Sequence, residues 1–353
     1  MEYFKHKTFF TERLLKWNIQ DNHRVMPWKN EKDPYKIWIS EIILQQTRVQ
    51  QGLEYYNRFI KTYPTIQHIA FAEETAIFKL WEGLGYYSRC KNIIASAKYI
   101  CNELNGKFPD SYESILTLKG IGNYTASAIA SFAYNLPYAV IDGNVFRVLS
   151  RFFGIHSPID STDGKKIYSL LANKVLDKKL PGVYNQAIMD FGSTICKPKL
   201  PLCCVCPLKR KCFGYLKGLV TTLPIKEKFI SRKARWIYYL LIEYNDQVYI
   251  RKRVTKDIWQ NLNEFVLIET ENPVSISSLQ ASRRFKEIFK ETDFIITSIS
   301  KIYRQQLTHQ TITGQFFRIR LNNSISIDGY HLTSISHLNL LPFPQFITAY
   351  LKD

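Results

Sequence analysis

Apolar residues recur every three or four positions from the N-terminus to about Leu216. The clearest segments are IWISEIILQQTRVQ, EETAIFKLWEGL, CKNIIASAKYICNEL, YTASAIASFAY and NVFRVLSRFFG, punctuated by Gly, Pro or Asn, and this period predicts helices. The first twenty residues carry Glu2, Lys5, Lys7, Glu12 and Arg13 among their apolar positions. They read as an amphipathic helix, not a secretion signal. From about Trp236 the pattern changes: IYYLLIEYNDQVYIRKR, EFVLIE, DFIITSISKIYRQQ and TGQFFRIRL are rich in β-branched and aromatic residues, and Asn245-Asp246 signals a hairpin. One helical stretch, SISSLQASRRFKEIFKE, interrupts these strands. The expected organisation is an all-α domain over 1–216, a basic linker over 217–232 and an α+β domain over 233–353, with no internal repeat.

Charge narrows the class of partner. Lys and Arg total 48 against 30 Asp and Glu, a net +18. Such a surface calls for an anionic partner, nucleic acid before membrane. The 22 Tyr, 22 Phe and 6 Trp add flat faces on which bases can stack. No run of 18 apolar residues is free of charge, which excludes a transmembrane helix, and cysteines clustered as in an intracellular metal site point to a cytoplasmic protein.

Seven cysteines are too few for a disulfide scaffold in a chain of 353 residues. Cys196, Cys203, Cys206 and Cys212 are spaced C-x6-C-x2-C-x5-C, a density of thiols that suits a tetrahedral soft-metal site or an iron–sulfur cluster. Lys197, Lys199, Lys209, Arg210 and Lys211 surround them, so the loop also presents positive charge to phosphates. Cys204, Cys90 and Cys101 read as bystanders.

Gly120 and Gly122 in LKGIGNYTASAIA permit a tight turn whose amides open toward a phosphate at the start of the next helix; an ordinary helix–turn–helix connection has the same signature. Asp142 in VIDGNVFRVL stands where a helix begins, as a cap and nothing more or as a carboxylate held ionised by the helix dipole. Glu41 in WISEIILQQTRV shares a helical face with Trp38, Leu44 and Gln45. It is either a solvated helix residue or a carboxyl whose burial lets it keep a proton near neutrality. Two carboxyls in such different settings are what glycosidic cleavage requires, here of a nucleotide's N-glycosidic bond.

These segments resemble the adenine DNA glycosylase (MutY) family of the helix–hairpin–helix glycosylase superfamily. The match is carried by RVMPWK, WISEIILQQTRV, WEGLGYYSR, LKGIGNYTASAIA, VIDGNVFRVLSR and NQAIMDFGSTIC with its cysteine loop. The resemblance implies an all-α glycosylase domain followed by a Nudix-like α+β domain. It also implies a monofunctional enzyme of base excision repair that acts, with base flipping, on double-stranded DNA containing adenine opposite 8-oxoguanine or G. Such an enzyme would work as a monomer near the nucleoid. Glu41 matches the general acid, and Asp142 the carboxylate that stabilises the oxocarbenium-like sugar. Tyr124 and Asn144 match residues that buttress that sugar and Asp142. Tyr124 also stands where strand-cleaving relatives carry a lysine nucleophile. Arg24, Trp28 and Gln186 match the adenine pocket, with Lys29 in place of a common arginine. Gln46 and Tyr86 match the stack-filling wedges, flanked by Thr47, Arg48, Leu84 and Gly85, while Gly120 and Gly122 match the DNA-gripping hairpin. The four cysteines match ligands of a [4Fe–4S] cluster. In the C-terminal domain the Nudix metal-binding helix is absent, so hydrolysis there is not expected. LTHQ at 307–310 departs from the family's lesion-contacting loop at Leu307 and Thr308, leaving Thr308 and His309 as candidate readers.

Overall fold

The computed structural model describes residues 5–227 and 231–353. Helices occupy the first part: α1 (Lys7–Gln20), α2 (Pro34–Leu44), α3 (Val49–Thr62), α4 (Ile66–Phe71), α5 (Glu74–Leu80), α6 (Ser88–Glu103), α7 (Tyr112–Leu116), α8 (Asn123–Tyr134), α9 (Gly143–Phe153), α10 (Thr162–Val175), α11 (Pro181–Thr194) and α12 (Phe213–Leu216). No described helix is long and apolar enough to cross a membrane.

The chain divides into two compact units, Met1–Ala70 with Ala95–Lys228, and Phe71–Ile94 with Phe229–Asp353. In the first, α2 starts at Asp33, whose side chain accepts from the Tyr35 amide at 2.9 Å, with Pro34 at the first helical position. The helix is buried nearly all round, from Tyr35 to Ile43. That makes it a core helix, and any polar side chain on it is forced out of water. Its expected continuation through QQTRV fails at Gln46, which sits at φ +55°, and α3 restarts at Val49.

Small residues let the neighbouring helices close on one another. α8 buries Thr125–Ser131, and Gln45 Nε2 on α2's edge donates to Thr125 Oγ1 at 3.2 Å. On α11 a Cβ at Gly182 would stand 2.6 Å from the Ser131 carbonyl of α8, and one at Gly192 2.6 Å from the Asn144 Cβ of α9. Glycine at these two positions is therefore a condition of the helix crossings. Phe10, Leu14, Trp17, Phe152, Tyr168 and Phe191 fill the apolar centre among α1, α9, α10 and α11. The first part of the basic linker is anchored to this unit: Arg151 Nε donates to Leu223 O at 3.0 Å, and the Ile159 amide to Ile225 O at 3.0 Å. Residues 228–230 of that linker lie outside the described chain.

The second unit is a sheet of β1 (Lys233–Tyr244), β2 (Gln247–Lys252), β3 (Asn263–Thr270), β4 (Phe294–Ile299), β5 (Tyr303–Gln306), β6 (Gln310–Leu321) and β7 (His331–Ser334), in the order β4-β6-β1-β3-β2-β7, with β5 paired to β6. β1 runs parallel to β6 and antiparallel to β3. Asn245 and Asp246 both take positive φ, the backbone of the turn that joins β1 to β2. The expected single helix over SISSLQASRRFKEIFKE is two, α13 (Ile276–Ala281) and α14 (Arg283–Phe289). Ser282 splits them: its backbone is extended, and its hydroxyl caps the second helix by accepting from the Phe285 amide. α14 packs Phe285 and Phe289 on one sheet face, and α15 (Gln345–Lys352) sets Phe346 and Tyr350 against Phe316 on the other. Residues 71–94 group with this unit by their contacts. Lys79 Nζ donates to Leu341 O at 3.0 Å and Glu82 Oε1 accepts from the Phe343 amide at 2.8 Å.

Candidate active site

Glu41 projects from the buried helix α2 with 6% of its surface exposed. Burial raises its carboxyl to about 7; the Tyr124 hydroxyl, hydrogen-bonded to it, pulls downward, and the charge of Asp142 adds to the rise. Asp142 is the N-cap of α9, accepting from the Val145 amide and from Asn144 Nδ2, each at 2.7 Å. Burial raises its pKa as well, against the pull of those donors and of the Arg147 charge. The helix start alone thus does not set its ionisation, as the sequence suggested. Burial is the larger effect, and the N–H groups of Val145 and Asn144, which only an acceptor can use, oppose it. The Tyr124 hydroxyl bonds Glu41 and lies within the field of both carboxyls.

Arg147 was not anticipated. Its Nη2 donates to Asn144 Oδ1 and to Gly192 O, each at 2.7 Å, and its Nε to Cys196 O at 2.7 Å. With Oδ1 engaged there, the Asn144 amide must turn its nitrogen to Asp142. The only sequence signal is an arginine one turn beyond Asn144 on a strongly amphipathic helix.

Arg24, Lys29 and Gln186 converge on one residue the sequence did not single out, Asp190. Arg24 Nη1 and Gln186 Nε2 reach Oδ1 at 2.8 and 3.1 Å, and Lys29 Nζ lies 3.2 Å from Oδ2. Trp28 packs edge-on against Tyr56, ring centroids 5.4 Å apart.

The loops expected to meet DNA sit as follows. Gln46 and Tyr86, the two wedge candidates, are both exposed and both at positive φ, +55° and +47°, an uncommon conformation for a side-chain-bearing residue. Thr47 bonds its amide to Leu44 O at 3.2 Å, and Arg48 precedes α3. Gly120 takes φ +79° and Gly122 caps α8. In the second unit Leu84 is buried, Gly85 takes φ +77°, and Arg89 Nη2 clamps the Gly85 carbonyl at 3.0 Å. Leu307, Thr308 and His309 form the β5–β6 turn, closed by the Leu307 amide on Gln310 O at 2.8 Å, and Thr308 Oγ1 bonds the Tyr86 hydroxyl.

Residues 39–172, which contain Glu41, Tyr124, Asp142 and Asn144, match the HhH-GPD superfamily of base excision DNA repair proteins. The adenine DNA glycosylase of Buchnera aphidicola subsp. Baizongia pistaciae is 35% identical over 309 residues, 86% of this chain and 84% of that protein. The chain belongs to the adenine DNA glycosylases. The human adenine DNA glycosylase is 38% identical over 214 residues, 58% of this chain and 39% of that protein. Among solved structures, a thermostable thymine-DNA glycosylase shares 29% identity with a TM-score of 0.56, covering 60% of this chain and 98% of that one. An endonuclease III–DNA complex matches the fold at a TM-score of 0.52 with 19% identity, over 60% of this chain and 96% of that one.

In this adenine DNA glycosylase the four spaced cysteines line one recess together with Arg151, Lys209 and Tyr215. Arg151 Nη1 donates to Cys196 Sγ at 3.4 Å and to Lys197 O at 2.7 Å, and Cys212 Sγ donates to Arg151 O at 3.4 Å. Burial pushes Cys206 up to about 12 and Cys212 to about 11, and the neighbouring thiols push further in the same direction. Thiols that resist ionisation beside one another are relieved by a positively charged core. Among the described residues no three His, Cys, Asp or Glu side chains converge on a single ion. The donor set and the recess fit a polynuclear cluster. Cys204 is exposed and Cys90 is buried.

Proposed function

We propose that this DNA N-glycosylase of base excision repair hydrolyses the N-glycosidic bond of adenine paired with 8-oxoguanine or G in double-stranded DNA. The carrying observation is the division between Glu41, raised to about 7, and Asp142, ringed by N–H donors. Adenine leaves poorly as an anion; Glu41 protonates it as the bond lengthens and then takes a proton from the attacking water. Asp142 faces the positive charge that develops on the sugar, and Asn144 and Tyr124 hold the two carboxyls in place. Arg24, Trp28, Lys29 and Gln186 line the pocket for the extruded base. Gln46 and Tyr86, with Thr47, Arg48, Leu84 and Gly85, offset the lost stacking. Gly120, Gly122 and the net charge of +18 grip phosphates. Thr308 and His309 read the opposite base.

Cys196, Cys203, Cys206 and Cys212 would hold a [4Fe–4S] cluster, which when bound cross-links the loop after α11. Purified protein is expected to be brown and to carry about four irons and four sulfides per chain. Cys206→Ser should lower that iron content together with the melting temperature; colourless wild-type protein folded to the same stability would remove the assignment.

Tyr124 supplies no amine, so the enzyme acts as a monofunctional glycosylase. It works as a monomer in the cytoplasm, associated with the nucleoid, with the 217–232 segment joining catalytic and lesion-reading domains. Single-turnover assays on A:8-oxoG, A:G and T:G duplexes, with and without alkali, test the whole reading. Cleavage is expected on the two adenine duplexes and only after alkali. Release of thymine in preference to adenine, or strand scission without alkali, would overturn it.

A further inference from the structure

The segment from Asn22 to Lys29 that carries Arg24, Trp28 and Lys29 has no helix or strand to shape it. Its side chains give it a shape by meeting at Asp190 on α11, a carboxylate with no exposed surface. Oδ2 accepts from Asn22 Nδ2 at 2.9 Å and faces Lys29 Nζ at 3.2 Å, while Oδ1 accepts from Arg24 Nη1 at 2.8 Å. Ser193 Oγ, one turn on, takes a second contact from Arg24 Nη1 at 2.8 Å and itself donates to the Asp190 carbonyl. Lys29 Nζ also donates to Arg24 O at 2.9 Å, closing the loop on itself. Removing this buried anion would take one acceptor from each of two cations and from the Asn22 amide.

Gln186 gives Asp190 a second task. Its Nε2 donates to Asp190 Oδ1 at 3.1 Å. A carboxylate can only accept, so it selects the amide rotamer with nitrogen inward and the carbonyl oxygen Oε1 turned to the occupant of the pocket. An outward acceptor suits a purine with an amino group at C6 and opposes one with a keto group there.

We propose that Asp190 is the positioning residue of the base pocket, shaping the 22–29 loop and fixing the Gln186 amide so that an exocyclic amino group is selected. The inference rests on the reading that Arg24 and Gln186 face the extruded adenine.

The test compares single-turnover excision of adenine and of hypoxanthine opposite 8-oxoguanine by full-length protein. Asp190→Asn, which can offer Gln186 either a donor or an acceptor, is expected to lower the adenine-over-hypoxanthine preference by at least about tenfold. Affinity for a duplex with a baseless tetrahydrofuran site opposite 8-oxoguanine should stay within about threefold of wild type, since no base is present to be positioned. Gln186→Ala should lower the preference comparably, and the double variant no further; losses that multiply would show Asp190 acting elsewhere and overturn the proposal. An unchanged preference in Asp190→Asn would overturn it as well. If Asp190→Asn does not fold, Asp190→Glu, which keeps the charge and displaces it by one methylene, must show the lowered preference. A wild type that releases no adenine would instead sink the function proposed above and leave a different base for the pocket.

Discussion

Glu41→Gln is expected to slow adenine release at least about a thousandfold in single-turnover assays while duplex affinity stays within about tenfold. Glutamine keeps the shape on α2 and can still bond the Tyr124 hydroxyl, but it has no proton to give to a departing purine. The acid role also has a pH signature. With a carboxyl raised to about 7, the protonated fraction falls as pH rises through that value, so the wild-type rate should decline on the alkaline side. Stability follows with a definite sign. The folded pKa stands above the ordinary 4.5, so proton binding by Glu41 favours the folded state; that contribution is complete below about 4.5 and lost as pH rises through about 7. A gap of this size is on the order of 3 kcal/mol. Glu41→Gln should therefore gain melting temperature relative to wild type as pH is raised from about 5 to about 8. A variant that releases adenine at the wild-type rate, or a melting difference independent of pH, would remove Glu41 from the role.

Asp142→Asn is expected to cost about a thousandfold in excision in a protein that still folds. Asparagine caps a helix as well as aspartate, so the Val145 amide keeps its acceptor and α9 its start. What disappears is the anion facing the sugar. The new amide nitrogen would also confront Asn144 Nδ2, whose direction Arg147 fixes from the other side. Excision within about tenfold of wild type in folded Asp142→Asn would show that capping is all this residue does.

Some of this architecture was legible because short-range physics dictates it. The three-four apolar period produced the helices from α1 to α11, and the Asn245-Asp246 pair produced its hairpin, since few residues tolerate two successive positive φ angles. Two helices were drawn too long. The break at Ser282 occurs inside a sequence whose apolar spacing continues, and the one at Gln46 in the polar run Gln45–Arg48; periodicity reports which face is buried and says nothing of a local reversal. Segment 71–94 lies within the family match at 39–172, in keeping with its helical pattern, yet Lys79, Glu82 and Tyr86 find partners at Leu341, Phe343 and Thr308. No pattern within twenty-four residues can announce a contact more than two hundred positions away.

The local chain settled which groups could take part: a carboxyl on an apolar helix, a second carboxyl where a helix begins, four thiols within one loop. Those follow from side-chain chemistry and spacing alone. Which groups meet was decided by helix packing. Gly182 and Gly192 let α11 lie close on α8 and α9, and Asp190 and Arg147 appear only then as the points on which Arg24, Gln186, Asn144 and the cysteine loop are hung. Each is a charged side chain on a helix that packing has closed over, and burial makes its partners obligatory.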